Sequence, residues 1–125
     1  MKEKNRILRL AIFGSTDWNN TKKIQETLDG LEGHSEINIA FKQSGCGRLV
    51  NMYADKFKIP ISFFEMPSEA DIGSRDEQSV FTELVDKILS GRDLAIVFKK
   101  APTQAINLFV AESKRLGIPL IILSP

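Results

Sequence analysis

Three short stretches of the chain hold residue types suited to gripping an anion: Gly14-Ser15-Thr16-Asp17-Trp18, Lys42-Gln43-Ser44-Gly45-Cys46-Gly47 and Lys99-Lys100-Ala101-Pro102-Thr103. Glycines let a main chain approach a phosphate closely. Ser15, Ser44 and Thr103 can donate hydroxyls, and Lys42, Arg48, Arg75, Lys99 and Lys100 are candidate counter-charges. Trp18 offers a flat face for a base. Each feature also has a plainer use. Gly14 can simply make a tight turn, Gly45 and Gly47 can simply permit a loop, Trp18 can close an edge of the core, and Lys99-Lys100 can be a solvated pair. Convergence of the three stretches on one place is what would make them a site.

Catalytic groups are harder to find, and no catalytic residue is assigned. His34 is the single histidine, in a turn pattern typical of a surface position. Cys46 precedes a helical pattern, a setting that can lower a thiol pKa, but no histidine is placed to pair with it. Asp17, Glu65 and Asp71 fall in loops, where acids are usually solvated. Cysteine and histidine do not recur at metal-ligand spacing, and neither a Walker loop nor a Gly-x-Gly-x-x-Gly fingerprint is present. The expectation is no metal and no cofactor.

Alternating strand and helix patterns must position the three stretches. Residues 7–13 form a continuous apolar run that stops at Gly14. Ile24, Leu28 and Leu31 recur at helical spacing, and residues 37–41 alternate as a second strand. Leu49, Met52, Tyr53 and Phe57 give a second helix face; residues 61–64, behind Pro60, give a third strand. Residues 65–73 are turn-rich. Ser74 and Glu77 have the form of a capping box, opening a third helix with Val80, Phe81, Leu84, Val85 and Ile88; Arg75 then falls in its first turn. Residues 94–98 are a fourth strand. Pro102 suits the opening of a fourth helix, continued by Ile106, Phe109, Val110 and Leu116, and residues 120–123 make the last strand.

This order predicts one α/β domain over residues 1–125, a Rossmann-like three-layer sandwich with a five-stranded parallel sheet in the order 3-2-1-4-5. Ligands of such sheets bind beyond the carboxyl ends of the strands, where the order reverses. Here that lies between the first and fourth strands, which is where the three stretches converge.

The bulk numbers fit. The 125 residues are 42% hydrophobic and 26% charged, as in ordinary globular domains. A net charge of +1 argues against nucleic acid as the partner. One cysteine allows no internal disulfide, which suits a cytoplasmic setting. No apolar run is long enough to span a membrane.

Leu10-Ala11-Ile12-Phe13-Gly14-Ser15 followed by Trp18 resembles the opening of the SLOG superfamily, specifically its small stand-alone YspA-like branch, related to the LOG phosphoribohydrolases and the DprA/SMF proteins. Ser44-Gly45-Cys46-Gly47-Arg48-Leu49, Tyr53-Ala54 and Ile59-Pro60 are similar to that branch's second motif, Ser74-Arg75-Asp76 to its Arg-Asn step, and residues 98–103 with Ala105 to its fourth-strand loop. The resemblance implies a nucleotide or nucleotide-sugar ligand held by Gly14, Ser15, Gly45, Arg75 and Thr103. The chain departs from the pattern at Thr16 (usually Arg), Gly47 (Asp), Pro102 (Gly) and Ile106. The last position is the catalytic Glu of the LOG enzymes. Isoleucine can neither take a proton nor stabilise a developing positive charge, so the family's N-glycosidic hydrolysis is not expected.

The expected function is therefore non-enzymatic binding, as a sensor or as a sponge that sequesters a signalling nucleotide, a role that suits a compact viral protein. The binding residues are Gly14, Ser15, Thr16, Trp18, Ser44, Gly45, Gly47, Arg75, Lys99 and Thr103. Two alternatives stand beside it. One is a nucleotide-processing enzyme using Asp17, Glu65 or Asp71. The other is a module that modifies a protein partner through an apolar cluster of Phe63, Phe64 and Met66. By analogy with related α/β domains, the apolar third helix or the bare edge of the last strand offers a contact for a homodimer or higher oligomer.

Overall fold

The computed structural model describes residues 7–31, 34–41 and 45–125. Its elements run β1 (Ile7–Gly14), α1 (Thr21–Asp29), β2 (His34–Ala40), α2 (Gly45–Phe57), β3 (Ile61–Phe64), α3 (Glu69–Ile72), α4 (Glu77–Leu89), β4 (Leu94–Phe98), α5 (Gln104–Arg115) and β5 (Leu120–Leu123). The five strands are all parallel, in the order β3-β2-β1-β4-β5. This is the Rossmann-like arrangement that the alternation of patterns predicts.

Period-two alternation within buried strands divides the core into two layers. Leu10, Ile12, Ile37, Ile39, Ile96 and Phe98 point to one face, where Ile24 and Leu28 of α1 and Leu49, Val50 and Ala54 of α2 cover them. Ala11, Phe13, Ala40, Ala95 and Val97 point to the other, beneath Leu84, Val85 and Ile88 of α4 and Ile106 and Phe109 of α5. Full burial of each such aliphatic side chain contributes roughly 1.5–3 kcal/mol. The polar Asn38, buried in β2, donates from Nδ2 to the Ile88 carbonyl at 3.1 Å, so it costs little and ties the sheet to the end of α4.

Local details correct several expectations. Met52 and Phe57 are exposed; α2 buries Cys46, Val50 and Ala54 beside Leu49 and Tyr53 instead. The turn-rich stretch contains the single turn α3. Ser74 does not cap the next helix. Asp76 does, its carboxylate accepting the Ser79 N–H at 3.2 Å, so Arg75 lies before the helix rather than in its first turn. Pro102 likewise lies outside α5, whose N-cap is Thr103. Leu116 is the exposed C-cap of α5. Phe63, Phe64 and Met66 form no exposed cluster, because each is half-buried against one of the two core layers. No helix among the described residues is long and apolar enough to cross a membrane.

Candidate functional site at the strand-order reversal

From the centre of the sheet, β1 leads into α1 on one face and β4 into α5 on the other. The crevice between these exits opens into a groove of about 420 Å³. Gly14, Ser15, Thr16 and Asp17 line one side, Thr103 and Ile106 the other, and Phe41 stands at the end of β2.

Ser15 organises the first loop. Its N–H donates to the Phe98 carbonyl at 2.9 Å, and its Oγ accepts the Lys100 N–H at 2.9 Å. Its carbonyl accepts the N–H groups of Trp18 at 3.1 Å and Cys46 at 3.2 Å. The loops after β1 and β4 are thereby fixed relative to one another. The hydroxyl proton of Ser15 is left to donate.

The loop glycines serve the chain's own packing. A Cβ on Gly14 would overlap the Cys46 side chain. One on Gly45, whose φ is +48°, would strike the Thr16 and Ser15 carbonyls, and one on Gly47 would strike those of Phe41 and Ala40. The start of α2 is drawn tightly against the ends of β1 and β2, and the Cys46 N–H already holds a backbone carbonyl. An anion would have to displace part of the protein to reach that helix end.

Trp18 is also claimed by the core. It is 1% exposed, its ring meets Phe98 edge-on at 5.3 Å, and its Nε1 donates to the Asn20 carbonyl at 3.0 Å. It has no open face for a base. The aromatic that does line the groove is Phe41, held at φ 58° and packed edge-on against Phe13 at 5.9 Å. Positive φ is uncommon for a bulky residue, and no pattern in the sequence signals it. An aromatic directly after a strand's carboxyl end is the one available hint.

Thr103 and Ile106 belong to one turn. The Thr103 Oγ1 accepts the Ile106 N–H at 3.1 Å, capping α5. The N–H groups of Gln104 and Ala105, in that same first turn, have no partner inside the helix. They carry the partial positive charge of the helix start, which borders the groove at Thr103 and Ala105. Ile106 is 1% exposed and apolar, so this side of the groove brings no acid.

The expected counter-charges are mostly elsewhere. Arg75 pairs with Glu83 at 3.2 Å outside the groove. Arg48 is exposed on α2 beside Met52. Lys99 donates its backbone N–H to Leu123 at 2.8 Å and contributes no lining side chain. Among the described residues, Lys100 comes near the groove, its Nζ 3.6 Å from the Asp17 carboxylate. Lys42 and Ser44 lie outside the described residues, as does the side chain of Asp71. Burial pushes the Cys46 thiol well above its ordinary pKa, the opposite of what a nucleophile needs. Among the described residues, no group of three or more His, Cys, Asp or Glu side chains is placed to hold a metal.

A second recess of about 490 Å³ adjoins the groove through Ala105 and lies between Met66, Phe81 and Leu108 with Asp76 and Gln104 at its rim. A third, of about 420 Å³, lies at the opposite edge of the sheet around Leu28, Tyr53 and Ile59. There α1 and α2 end with carbonyls, a poor environment for an anion.

The fold and this groove define a Rossmann-like α/β domain with a small-molecule-sized cleft where the strand order reverses. Comparison of the chain with known protein families, with curated proteins and with solved structures gives no match.

Proposed function

We propose that this chain binds a nucleotide or nucleotide-derived small molecule in the β1–β4 groove and leaves it chemically unchanged, as a sensor or a sequestering protein. The observation that carries the reading is the pairing of the Ser15–Thr16 loop with the first turn of α5 across one groove, with apolar Ile106 where an acid would be needed for hydrolysis. The likeness of residues 10–15, 44–49 and 98–103 to SLOG motifs supports the ligand class. In this reading a phosphate meets the first-turn N–H groups of α5 and the Ser15 hydroxyl, and a base stacks on Phe41.

Among the described side chains, the enzymatic alternative finds no acid–base pair in the groove. Asp17 is exposed and held in an ion pair by Lys100. Glu65 is exposed and does not line the groove.

Native mass spectrometry of protein purified from its host, followed by denaturation and identification of released small molecules, tests the proposal. A nucleotide recovered intact is the expected result. A protein that stays empty after incubation with a panel of nucleotides, cyclic dinucleotides and ADP-ribose derivatives contradicts it, as does conversion of any of them to product. Phe41→Ala is expected to weaken binding by about 1–3 kcal/mol, the usual worth of stacking a base on an aromatic ring.

A further inference from the structure

The two edges of the sheet differ. At the β3 edge, Ile61, Phe63 and Phe64 are half-buried, with charged Lys58 and Glu65 close by in sequence. At the β5 edge the strand is Leu120-Ile121-Ile122-Leu123, with no charge, and Ile121 and Ile122 are 37% and 47% exposed. Leu116, leading into it, is 41% exposed.

The backbone of β5 is oriented for pairing. Ala95 N–H donates to Pro119 and Lys99 N–H to Leu123, both at 2.8 Å, so the odd-numbered residues of this segment face β4. Alternation then turns the N–H and C=O of Leu120 and Ile122 outward. An uncharged strand with outward amides, neither bulged nor covered by another described element, is what proteins ordinarily avoid at an edge.

We infer that β5 is the interface between two copies of this chain, paired antiparallel about a two-fold axis normal to the sheet. Facing residues must project from the same side of the joined sheet, so only same-parity residues can oppose. With Ile122 on the axis, its N–H and C=O meet those of Ile122 in the second copy. Leu120 then meets Ser124, and Ile121 packs opposite Leu123 on the α1 face. The result is a continuous sheet of twice the strands, with both exposed isoleucines covered.

Charge permits a second copy here: on the α1 face, Lys22, Lys23 and Glu26 lie beside Pro125 at the carboxyl end of β5, where the symmetry keeps the two copies of them apart. Copies related by a two-fold axis present identical charges to one another, so the surface at the axis must be neutral or internally compensated. On α5, Ala105 and Leu108 face the recess beside Phe81, while Glu112 and Arg115 join Asp86 of α4, the Arg115 Nη2 lying 2.7 Å from Glu112 and 3.4 Å from Asp86. Helical spacing therefore leaves Asn107, Val110 and Lys114 on the β5 side. The one charge on that flank, Lys114, lies near the end of the helix, and the symmetry sends the two copies of it to opposite ends of the interface.

Sedimentation velocity of the purified 14.0 kDa chain, from about 1 µM to about 1 mM, tests this. A short ladder is a small interface, so a dimer in the micromolar range is expected. Ile122→Lys should raise the dissociation constant about a hundredfold by placing a charge on the axis. Ile122→Pro should do the same by removing an outward N–H that β4 does not use. Circular dichroism of both variants at low concentration is expected to show the native fold. A wild-type chain that is monomeric throughout overturns the inference. So does a dimer that survives both variants, or one that is lost only when exposed Met52 and Phe57 on α2 are replaced.

Discussion

Two helix starts lie on either side of the β1 exit at the carboxyl edge of the sheet, and the chain uses them in opposite ways. At the β2–α2 turn, Gly45 and Gly47 bring the helix start onto neighbouring carbonyls, and Cys46 fills the space under Gly14. At the β4–α5 turn, Thr103 caps the helix with its side chain and the first turn faces open space. The helix start with glycines is the closed one, and the helix start without them lines the groove. Glycine permits close approach of anything, and the chain's own backbone is the nearest thing available. Loop glycines thus indicate proximity without naming the neighbour.

That contrast can be broken by substitution. The largest effect is expected at Trp18, on the closed side. Trp18→Ala should destabilise the fold by about 3–5 kcal/mol, measured by urea unfolding. A loss of ligand affinity with unchanged stability would restore Trp18 as a binding residue.

Gly47→Ala is expected to cost about 3 kcal/mol, because the new methyl meets backbone carbonyls that cannot swing aside. Gly91→Ala is the control. Gly91 has the opposite problem: its φ is positive, at 69°, but a Cβ there meets nothing within 4 Å, so a conformational cost of about 1 kcal/mol is all that is expected. Equal losses at the two positions would refute the packing role assigned to Gly47.

On the open side, Thr103→Ala removes the α5 cap and should cost about 1 kcal/mol, with Thr103→Ser restoring most of it. Because this turn also borders the groove, the Ala variant should bind ligand more weakly than its stability loss explains. Calorimetric titration beside thermal melting separates the two effects.

The smallest effect belongs to the opposite edge of the sheet. The Tyr53 phenol is pushed up to about 12, first by burial and then by its hydrogen bond to the Asp29 carboxylate. The folded-state value lies above the unfolded one, so this contribution is complete below about pH 10 and disappears as pH rises through 12. Tyr53 is the single tyrosine, so absorbance of the phenolate reports it alone. Ionisation near pH 10 in the folded protein would contradict the burial and the bond.

The sheet was legible because buried parallel strands write themselves as unbroken apolar runs, and residues 7–13 and 94–98 are such runs. Strand order followed from handedness and short connections. Helix faces were legible where they are buried, as at Ile24, Leu28, Leu84 and Ile88, and misread at Met52 and Phe57, whose spacing fits a face that the fold leaves open. Cap positions shifted by two residues, from Ser74 to Asp76, because both residues accept hydrogen bonds equally well and only the helix register decides. The general place of the groove followed from topology. Its lining did not, since Trp18 and Phe41 are both aromatics at strand exits and only three-dimensional packing sends one into the core and leaves the other beside the groove.

The central claim is that the groove between β1 and β4 holds an unaltered nucleotide-derived ligand. The most direct measurement is an amide NMR titration with the nucleotide panel, with the ligand's own resonances followed in the same samples. The account predicts saturable shifts at Ser15, Thr16, Phe41 and Gln104, with ligand resonances that broaden or move but never convert to product. Shifts confined to residues around Tyr53 at the opposite edge, or the appearance of product signals, would contradict it.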